Sequence, residues 1–402
     1  MGLLYLDLDN FKFVNDTLGH DVGDKLLQAV VERVGSCVRK WDTVARMGGG
    51  EFTIIVDNLP PSSTVKTLAG IAKKVMAALS EPLMIGTNEV PVTASIGIAH
   101  YPQDGCTVDE LVKSAVTAMY HGESQGRNNC QFFRSDLDVA VKQRQRIEGQ
   151  LRGALKQNEM SLNYQPQVEL KTGRPCGAEI LLRWANPILG NVQPALFIRA
   201  AESTGDIVQL GEWVLRQACQ QNWQWRSEGL LLSRISVKLS PRQFRHSEFV
   251  SRVHRILRDA QLDPACLEFE VTEGSIIHDP QNAVAVPLGL KKLGVRVAMD
   301  DFGTGYSSLR YLRELPIDVL KIDKSFVQEL PSNSGDVEIV TAIIAMARGL
   351  KSEVVAEGVV SQTQFELLRK LGCDKVQGFK CCRPLPGREF ARWVTEKTRQ
   401  RN

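Results

Sequence analysis

The sequence predicts an α/β protein with two domains, the second of which is a (β/α)8 barrel. The chain has 402 residues, which is enough for two or three domains with a core each, and 43% apolar with 24% charged residues is an ordinary globular composition. Short runs of β-branched residues alternate with helical segments along the whole chain. In the second half, successive runs end in polar residues, at Glu179, Lys238, Glu270, Asp300, Lys321, Glu357 and Gln377.

The bulk composition excludes several classes of protein. A net charge of +3 without a basic stripe argues against a nucleic acid partner. No apolar run reaches 18 residues, so we expect no membrane span, and Asp7 and Asp9 interrupt the only start that resembles a signal peptide. Nine scattered cysteines without CxxC spacing predict reduced thiols and a cytoplasmic protein. Because the chain begins inside a strand, we expect a missing upstream segment, such as a sensor domain or a membrane tether.

Residues 1–135 predict an α/β domain. LLYLDLD alternates as a strand, and TVARMGGGEFTIIV predicts a hairpin with three glycines at its turn. A helix over about 63–80, strands through VTASIGIAHYP and a last helix before GRNNCQFF complete the domain. An earlier helix has apolar residues at helical spacing, at Leu26, Leu27, Val30, Val31 and Val34.

Four segments of this domain, DLDNFKFVNDTLGHDVGD, RMGGGEF, VTASIGIAHYPQDG and GRN, together resemble the GGDEF domain family of diguanylate cyclases. That family condenses two GTP molecules into cyclic di-GMP. The resemblance implies a palm-like, ferredoxin-like α/β fold. It also implies that Asp7 and Asp24 face the metal and the guanine, with Lys12 and Asn15 alongside.

Two positions depart from the family pattern. Gly50 stands where the third signature residue is a metal-holding acid, and glycine offers neither a ligand nor a base. Glu123 stands where a lysine is expected in the phosphate-binding stretch, and its charge repels a triphosphate. We therefore expect no cyclase activity, while GTP binding without turnover stays open. Arg39 and Asp42 match the RxxD spacing of the family's product-inhibition site, with a surface salt bridge as the alternative.

Residues 136–158 predict a connecting amphipathic helix. Val141, Ile147, Leu151 and Leu155 fall on one stripe, with lysine, arginine and glutamine elsewhere. We expect this helix to dock on the following domain, and pairing with a second subunit is the alternative.

Residues 159–402 predict the barrel. From Lys238 onward, the polar strand ends are 20 to 36 residues apart, which leaves room for one helix and its loops. Polar residues at the carboxyl ends of many successive strands are typical of the active face of a (β/α)8 barrel. An open doubly wound sheet is the alternative, but it gathers its polar ends near one switch point.

The stretch MDDFGTGYSSL carries two adjacent carboxylates, Asp300 and Asp301. Neighbouring side chains on a strand point to opposite faces, so both can enter one site only where the strand ends and the backbone turns. Together with Glu179, Glu270 and Glu357, they offer enough oxygen ligands for two Mg²⁺ or Mn²⁺ ions that clamp a phosphodiester for in-line attack. Each acid alone also fits a capped turn or a surface ion pair.

Residues from about 140 to 395 resemble the EAL domain family, which hydrolyses cyclic di-GMP to linear pGpG with two metal ions. The resemblance rests on NYQPQVELKTGRPCGAEILLRW, FIRAAESTGDIVQLGEWVL, FEVTEGSII, AMDDFGTGYSSLRYLRELPIDVLKID, VVAEGV and LGCDKVQGFKCCRPLP. By position it implies metal ligands at Glu179, Glu270, Asp300, Asp301 and position 238, catalytic roles for Lys321, Glu357 and Glu273, and ligand contacts from Gln165, Arg183, Asp300 and Gln377. Glu273 would brace the loop after Asp301. For Arg183, an ordinary surface arginine is the alternative. The family also implies homodimers.

Lys238 stands where the family has a metal-ligand asparagine. An asparagine carbonyl donates electrons to a cation, whereas an ammonium offers three donors and no lone pair. We expect its ammonium to take the place of the first metal, paired with Glu179, Glu270 and Asp300. Val360 also replaces an acid that is common after AEGV.

Two functions from different classes therefore stay open. The first is a receptor that binds cyclic di-GMP without cutting it and signals to a protein partner, as Gly50 and Lys238 favour. The second is an active metal-dependent phosphodiesterase that the degenerate GGDEF domain regulates, as the intact DDFGTGYSSL loop and Lys321 favour.

Overall fold

The structure is a computed structural model that describes residues 1–60, 63–85, 88–230, 232, 234–246, 248–274, 280–303 and 315–399. The chain forms two compact units, Met1–Arg146 and Ile147–Asn402, and each is described by itself. The stretch TGYSSL after Gly303, including Gly305, lies outside the described residues. None of the helices that the structure describes is long and apolar enough to cross a membrane.

The first unit is built on one five-stranded sheet. The strands of this unit are β1 (Gly2–Leu8), β2 (Thr43–Gly48), β3 (Glu51–Val56), β4 (Leu83–Ile85), β5 (Asn88–Val90), β6 (Ala94–His100) and β7 (Cys130–Phe132). Its helices are α1 (Phe11–Leu18), α2 (His20–Gly35), α3 (Thr64–Ser80) and α4 (Val108–Ser124). The sheet order is β2-β3-β1-β6-β7, with β1 antiparallel to both neighbours and β7 parallel to β6, while β4 and β5 form a separate hairpin.

Helices cover both faces of this sheet. Alternate residues of β1 point to opposite sides, so Leu4 and Leu6 pack with α2 and α3 while Leu3 and Tyr5 pack with α4. This arrangement is the predicted α/β domain. One predicted core position is wrong, because Val31 is 41% exposed. The stripe formed by the other four positions of α2 is already wide enough to cover the sheet.

The second unit contains a closed barrel. The strands of this unit are β8 (Met160–Glu169), β9 (Pro175–Asn186), β10 (Gly190–Val192), β11 (Arg234–Lys238), β12 (Leu267–Thr272), β13 (Arg296–Phe302), β14 (Val319–Ile322), β15 (Glu353–Ala356), β16 (Lys375–Gln377) and β17 (Leu385–Pro386). Its helices are α6 (Pro194–Thr204), α7 (Ile207–Ser227), α8 (Pro241–Phe244), α9 (Phe249–Asp259), α10 (Pro280–Lys292), α11 (Lys324–Gln328), α12 (Ser334–Gly349), α13 (Gln362–Leu371) and α14 (Gly387–Arg399), with a short 3-10 helix at Pro264–Cys266.

Eight strands, β8, β9 and β11 to β16, close the barrel, which confirms the predicted barrel fold. Strand β8 differs from an ordinary (β/α)8 barrel because it runs antiparallel to both β9 and β16. Only a short turn separates Glu169 from Pro175, whereas a parallel pair needs a crossover of about a dozen residues or more. The short connection therefore dictates the reversed direction of β8.

Helix α5 (Ser135–Ala154) is the predicted connecting helix, and it ends four residues earlier than expected. Ile147, Leu151 and Ala154 are buried, and they belong to a cluster with Trp184 and Phe197 in the second unit. Burying side chains of this size stabilises a fold by about 1.5–3 kcal/mol each. The last turns of α5 are thus part of the barrel's helical layer. The side chain of Val141 lies outside the described residues.

Candidate functional site

The inward side chains of the barrel strands converge on one buried lysine. Lys321 lies on β14 and only 1% of its side chain is exposed. Its Nζ lies 2.6 Å from Glu357 Oε1 and 2.8 Å from Glu270 Oε2. The same Nζ lies 3.3 Å from Asp300 Oδ1 and 3.6 Å from Glu179 Oε2. Four of the predicted acids, carried by four different strands or strand ends, therefore meet around one ammonium group.

The burial of this cluster shifts the protonation of its members. Burial raises the pKa of Glu357 to about 7, although Lys321 opposes the shift. Burial and the nearby Glu179 also raise the pKa of Glu270 well above its ordinary value. Burial alone would raise the pKa of Asp300 too, but Lys321 and Lys238 outweigh it and hold this pKa at about 2. Asp300 is therefore the firmly ionised carboxylate of the cluster.

Lys321 stays charged for the complementary reason. Burial by itself lowers the pKa of a lysine, but the surrounding carboxylates of Glu179, Glu270, Glu357 and Asp300 raise the pKa of Lys321 well above its ordinary value. Removing one partner of such a buried charge cluster leaves the others uncompensated. The ammonium is thus the counter-ion that lets these acids lie together.

Lys238 shares one of these acids, Asp300, and also contacts Asp301. Its Nζ lies 2.7 Å from Asp300 Oδ2 and 3.2 Å from Asp301 Oδ2, and 48% of its side chain is exposed. Burial lowers its pKa, but these two carboxylates outweigh the effect, and the net shift is upward. Lys238 therefore carries a full charge, which removes any lone pair for a metal.

The expected pairing of Lys238 with Glu179 and Glu270 is wrong. The described ion pairs of those two glutamates are with Lys321 instead. Lys321 extends from β14 into the centre of the barrel, whereas Lys238 is the last residue of β11 and reaches across the rim. Of the expected partners, only Asp300 is met.

A β-bulge brings Asp300 and Asp301 to one site. We expected strand β13 to end at the two acids, but it continues to Phe302. Its register with β14 shifts between Met299 and Phe302. Asp301 takes a left-handed backbone conformation with φ 54°. Such bulges re-aim side chains next to functional sites. The backbone irregularity thus turns Asp301 toward the side where Asp300 lies.

Three carboxylates are arranged so that they can hold a cation. One oxygen from each of Asp300, Asp301 and Glu357 lies within 4.8 Å of the other two. Oxygen donors in such a group suit Mg²⁺ or Mn²⁺. Lysines already lie on all of these carboxylates, Lys238 on Asp300 and Asp301, and Lys321 on Asp300, Glu357, Glu179 and Glu270.

Glu273 supports the backbone that follows the bulge. Its side chain is buried, and its Oε2 accepts a hydrogen bond of 3.3 Å from the backbone N–H of Gly303. This is the bracing geometry that was predicted for the loop after Asp301. The remainder of that loop lies beyond the described residues.

A chain of glutamines joins the first barrel strand to the acids. Gln377 donates from its Nε2 to Glu179 Oε2 and, at 3.2 Å, to Gln165 Oε1. Gln167 donates to Gln377 Oε1 at 3.2 Å and is 1% exposed. Gln165 and Gln377 are the predicted ligand contacts, whereas Gln167 was not predicted from the sequence. Their i, i+2 spacing on one strand was the signal, because both side chains must point to the same face.

A largely apolar cavity of about 420 Å³ lies beside Glu179, one of the acids of the cluster. Glu179, Arg183 and Lys238 line it, together with apolar residues of β9, α7 and α9. Arg183 is half-buried, and burial lowers its pKa. Its guanidinium donates to the carbonyl of Leu182 at 3.0 Å. The cavity has the size and the lining of a small-molecule site, with few polar groups to orient a ligand.

The candidate nucleotide site of the first unit is acidic. A Cβ at Gly50 would lie 3.3 Å from Asp7 Oδ1, so an acid at this position would face Asp7. Burial raises the pKa of Glu123 to about 7, and a hydrogen bond with Asp7 adds to the shift. Asp24 is exposed on α2. The structure thus brings Gly50 and Glu123 next to Asp7, and position 123 supplies an acid where the family pattern has a cation.

Arg39 and Asp42 form a turn. The backbone N–H of Arg39 donates to Asp42 Oδ2 at 2.9 Å, and the guanidinium lies 5.9 Å from the centre of the Trp41 ring. Both residues keep the spacing of the predicted inhibition site. Among the described contacts, the surface salt bridge between the two side chains does not occur.

Two family models match the chain. One, described as "EAL domain", matches residues 148–384, and the other, described as "Diguanylate cyclase, GGDEF domain", matches residues 1–129. The chain is 43% identical over 388 residues to the bifunctional diguanylate cyclase/cyclic di-GMP phosphodiesterase MucR of Pseudomonas aeruginosa, covering 96% of this chain and 56% of that protein. It is 40% identical over 386 residues to the cyclic di-GMP phosphodiesterase NbdA of the same organism, covering 96% of this chain and 49% of NbdA.

The chain thus spans about half the length of these relatives. Among solved structures, it is similar to the phosphodiesterase PaMucR in a c-di-GMP complex, with a TM-score of 0.59 and 43% identity. That match covers 61% of this chain and 99% of the other.

Proposed function

The chain belongs to the EAL domain family, with a GGDEF domain ahead of the EAL domain, and on this premise we propose that its barrel is a receptor for cyclic di-GMP that hydrolyses this ligand weakly or not at all. The observation that carries the proposal is the position of Lys238, whose ammonium lies on Asp300 and Asp301. These carboxylates are the ones that a catalytic metal would need.

Ligand binding is supported by the cavity and by the relative that contains the ligand. The cavity of about 420 Å³ lies beside Glu179 and Arg183. An arginine without a carboxylate partner among the described residues suits a phosphate or the edge of a guanine, because its planar fork can donate two parallel hydrogen bonds. The PaMucR complex, at 43% identity, supports cyclic di-GMP as the occupant.

The residues fit one divalent ion better than two. Asp300, Asp301 and Glu357 would hold Mg²⁺ or Mn²⁺, which would polarise a phosphoryl oxygen or activate water. Lys238 competes with this ion for Asp300 and Asp301, and Lys321 lies on Glu357 as well as on Glu179 and Glu270. In the receptor, the two lysines supply positive charge that balances the acids beneath a phosphodiester. Binding without metal is therefore the expected state.

An active phosphodiesterase is the second candidate. It is favoured by Lys321 within reach of four acids and by Glu273 on the backbone of Gly303, since both are parts of the catalytic set that the family implies. The exposed Lys238 side chain would then swing away from Asp300 when metal binds, because its long stem is flexible.

The first unit serves a regulatory role in this proposal. With Gly50 in place of an acid and Glu123 beside Asp7, it makes no cyclic di-GMP, while GTP bound without turnover would act as a signal. Cyclic di-GMP at Arg39 and Asp42, a homodimer, and an upstream sensor with a protein partner remain predictions.

Binding and hydrolysis measured on one preparation test the proposal. We expect cyclic di-GMP to bind in EDTA by calorimetry, and little pGpG to form with Mg²⁺ or Mn²⁺. An Arg183→Ala variant should weaken binding. Rapid hydrolysis by the unmodified protein would overturn the receptor and leave the phosphodiesterase, whereas absence of binding would overturn both.

A further inference from the structure

The turn after β16 holds an exposed aromatic side chain at the rim of the barrel. Phe379 is 57% exposed. The guanidinium carbon of Arg383 lies 5.0 Å from the centre of the Phe379 ring. An aromatic ring and a planar cation that face each other at this distance form a surface on which another planar group can stack.

The backbone under Phe379 is firmly held. Val359 N–H donates to the carbonyl of Gln377 at 3.1 Å, and Lys380 N–H donates to the carbonyl of Val359 at 3.0 Å. A Cβ at Gly378 would lie only 2.2 Å from the carbonyl oxygen of Val359, so glycine is required for this close approach. The exposure of Phe379 is thus imposed by an anchored turn.

The same turn is connected to the acids of the candidate site. The carbonyl of Cys382 accepts a hydrogen bond of 3.5 Å from Gln165 Nε2. Gln165 in turn accepts from Gln377, which also donates to Glu179. Phe379 follows Gln377 by two residues, so the ring lies at the mouth above these side chains.

Arg183 and Phe379 flank one strand of the barrel. Arg183 lies on β9 and Phe379 follows β16, and both of these strands pair with β8. Two strand spacings of about 4.8 Å separate β9 from β16, and the partners on β8, Ser161 for Arg183 and Gln167 for Gln377, lie at different points along that strand. A cyclic dinucleotide carries two planar bases, so two separate recognition points on the rim suit it.

We propose that Phe379, with Arg383, is the stacking platform for one purine base of the cyclic dinucleotide. This inference rests on the proposed function and adds a specificity-determining pair to it. Stacking tolerates any base, so the platform supplies affinity and orientation, while polar groups elsewhere read the base edge.

Full-length Phe379→Ala protein tests the proposal. We expect its Kd for cyclic di-GMP, measured by calorimetry, to rise by roughly 5- to 150-fold, the range for loss of one base–aromatic stack. Phe379→Trp should keep or improve the affinity, and Arg383→Ala should weaken it less. The matched control is Trp223→Ala, which removes an aromatic side chain that is 50% exposed on α7.

A second measurement separates stacking from a general loss of structure. A cyclic dinucleotide with 2-aminopurine in place of one guanine should lose fluorescence on the unmodified protein and much less on Phe379→Ala. If the unmodified protein and Phe379→Ala bind cyclic di-GMP equally well, or if the Trp223→Ala control loses as much affinity, the platform is wrong and the receptor stands. If the unmodified protein binds no cyclic di-GMP, the proposed function and the platform fall together.

Discussion

Replacing Lys238 with asparagine should create a better metal site. The ammonium lies 2.7 Å from Asp300 Oδ2 and 3.2 Å from Asp301 Oδ2, where it competes with any cation for the same oxygens. A unit charge about 4 Å from a divalent ion costs about 8 kcal/mol at an effective dielectric of about 20. Because the side chain is 48% exposed, solvent and movement of its stem reduce this cost, and we expect roughly 1.5–3 kcal/mol, or about 10- to 150-fold in the Kd of the metal.

Titration of Mn²⁺ by calorimetry measures the effect directly. Lys238→Asn adds a carbonyl ligand and removes a charge, whereas Lys238→Met only removes the charge, so comparing them separates the two contributions. Lys370→Asn, on the outer face of α13, is the matched control for loss of an exposed lysine. Hydrolysis of cyclic di-GMP to pGpG should rise in Lys238→Asn, because the vacated position then resembles the family pattern.

Two results would refute this reasoning. One is an unmodified protein that binds two equivalents of Mn²⁺ as tightly as Lys238→Asn does. The other is an affinity gain of the same size in Lys370→Asn, which would mean that the overall charge of the surface, and not the contact with Asp300, controls metal binding.

Three further predictions follow from the charges of the two units. Lys321→Met should lower the free energy of unfolding by about 3–5 kcal/mol, because four buried acids lose their cation, and an unchanged urea midpoint would contradict this. The double variant Gly50→Asp with Glu123→Lys should raise the affinity for GTP at least about tenfold, because an acid returns beside Asp7 and a cation replaces a repelling charge. Titration with a fluorescent GTP measures this affinity, and equal binding by the variant and the unmodified protein would refute the prediction. Burial alone would raise the pKa of Glu353, but Lys375 and neighbouring arginines outweigh burial and lower this pKa. The ionised carboxylate therefore stabilises the fold at pH values above the pKa that Glu353 has in the unfolded chain, and this stabilisation is lost as the pH falls. Glu353→Gln should therefore lower the free energy of unfolding by about 1 kcal/mol at pH 7, a value already reduced because the side chain is partly exposed. Urea titrations should show a smaller loss at about pH 4. An equal loss at both pH values would contradict this.

The buried charge of Lys321 illustrates how far a sequence can predict a site. A lysine at the end of a β-branched run, among runs that end in acids, already indicated a cation at the active face. The sequence could not show that this ammonium, and not that of Lys238, would contact Glu179 and Glu270. Which of two cations reaches a given acid depends on strand register and on the direction of each stem, and neither is encoded by spacing along the chain.

The bulge at Asp301 is a second case. Two adjacent acids can enter one site only if the backbone departs from the regular pleat, and this requirement follows from the sequence alone. The actual solution, a left-handed residue inside a strand that continues to Phe302, required the pairing with β14. Residues of the loop that follows lie outside the described chain.

The sequence by itself determined the two domains, the barrel and the acids at its active face, because alternation and helical spacing report which side chains must be buried. The tertiary structure alone decided the partners of each lysine and the exposure of Phe379 at the rim. These features depend on contacts between residues far apart in the chain, whose energies are set by distance and burial in three dimensions.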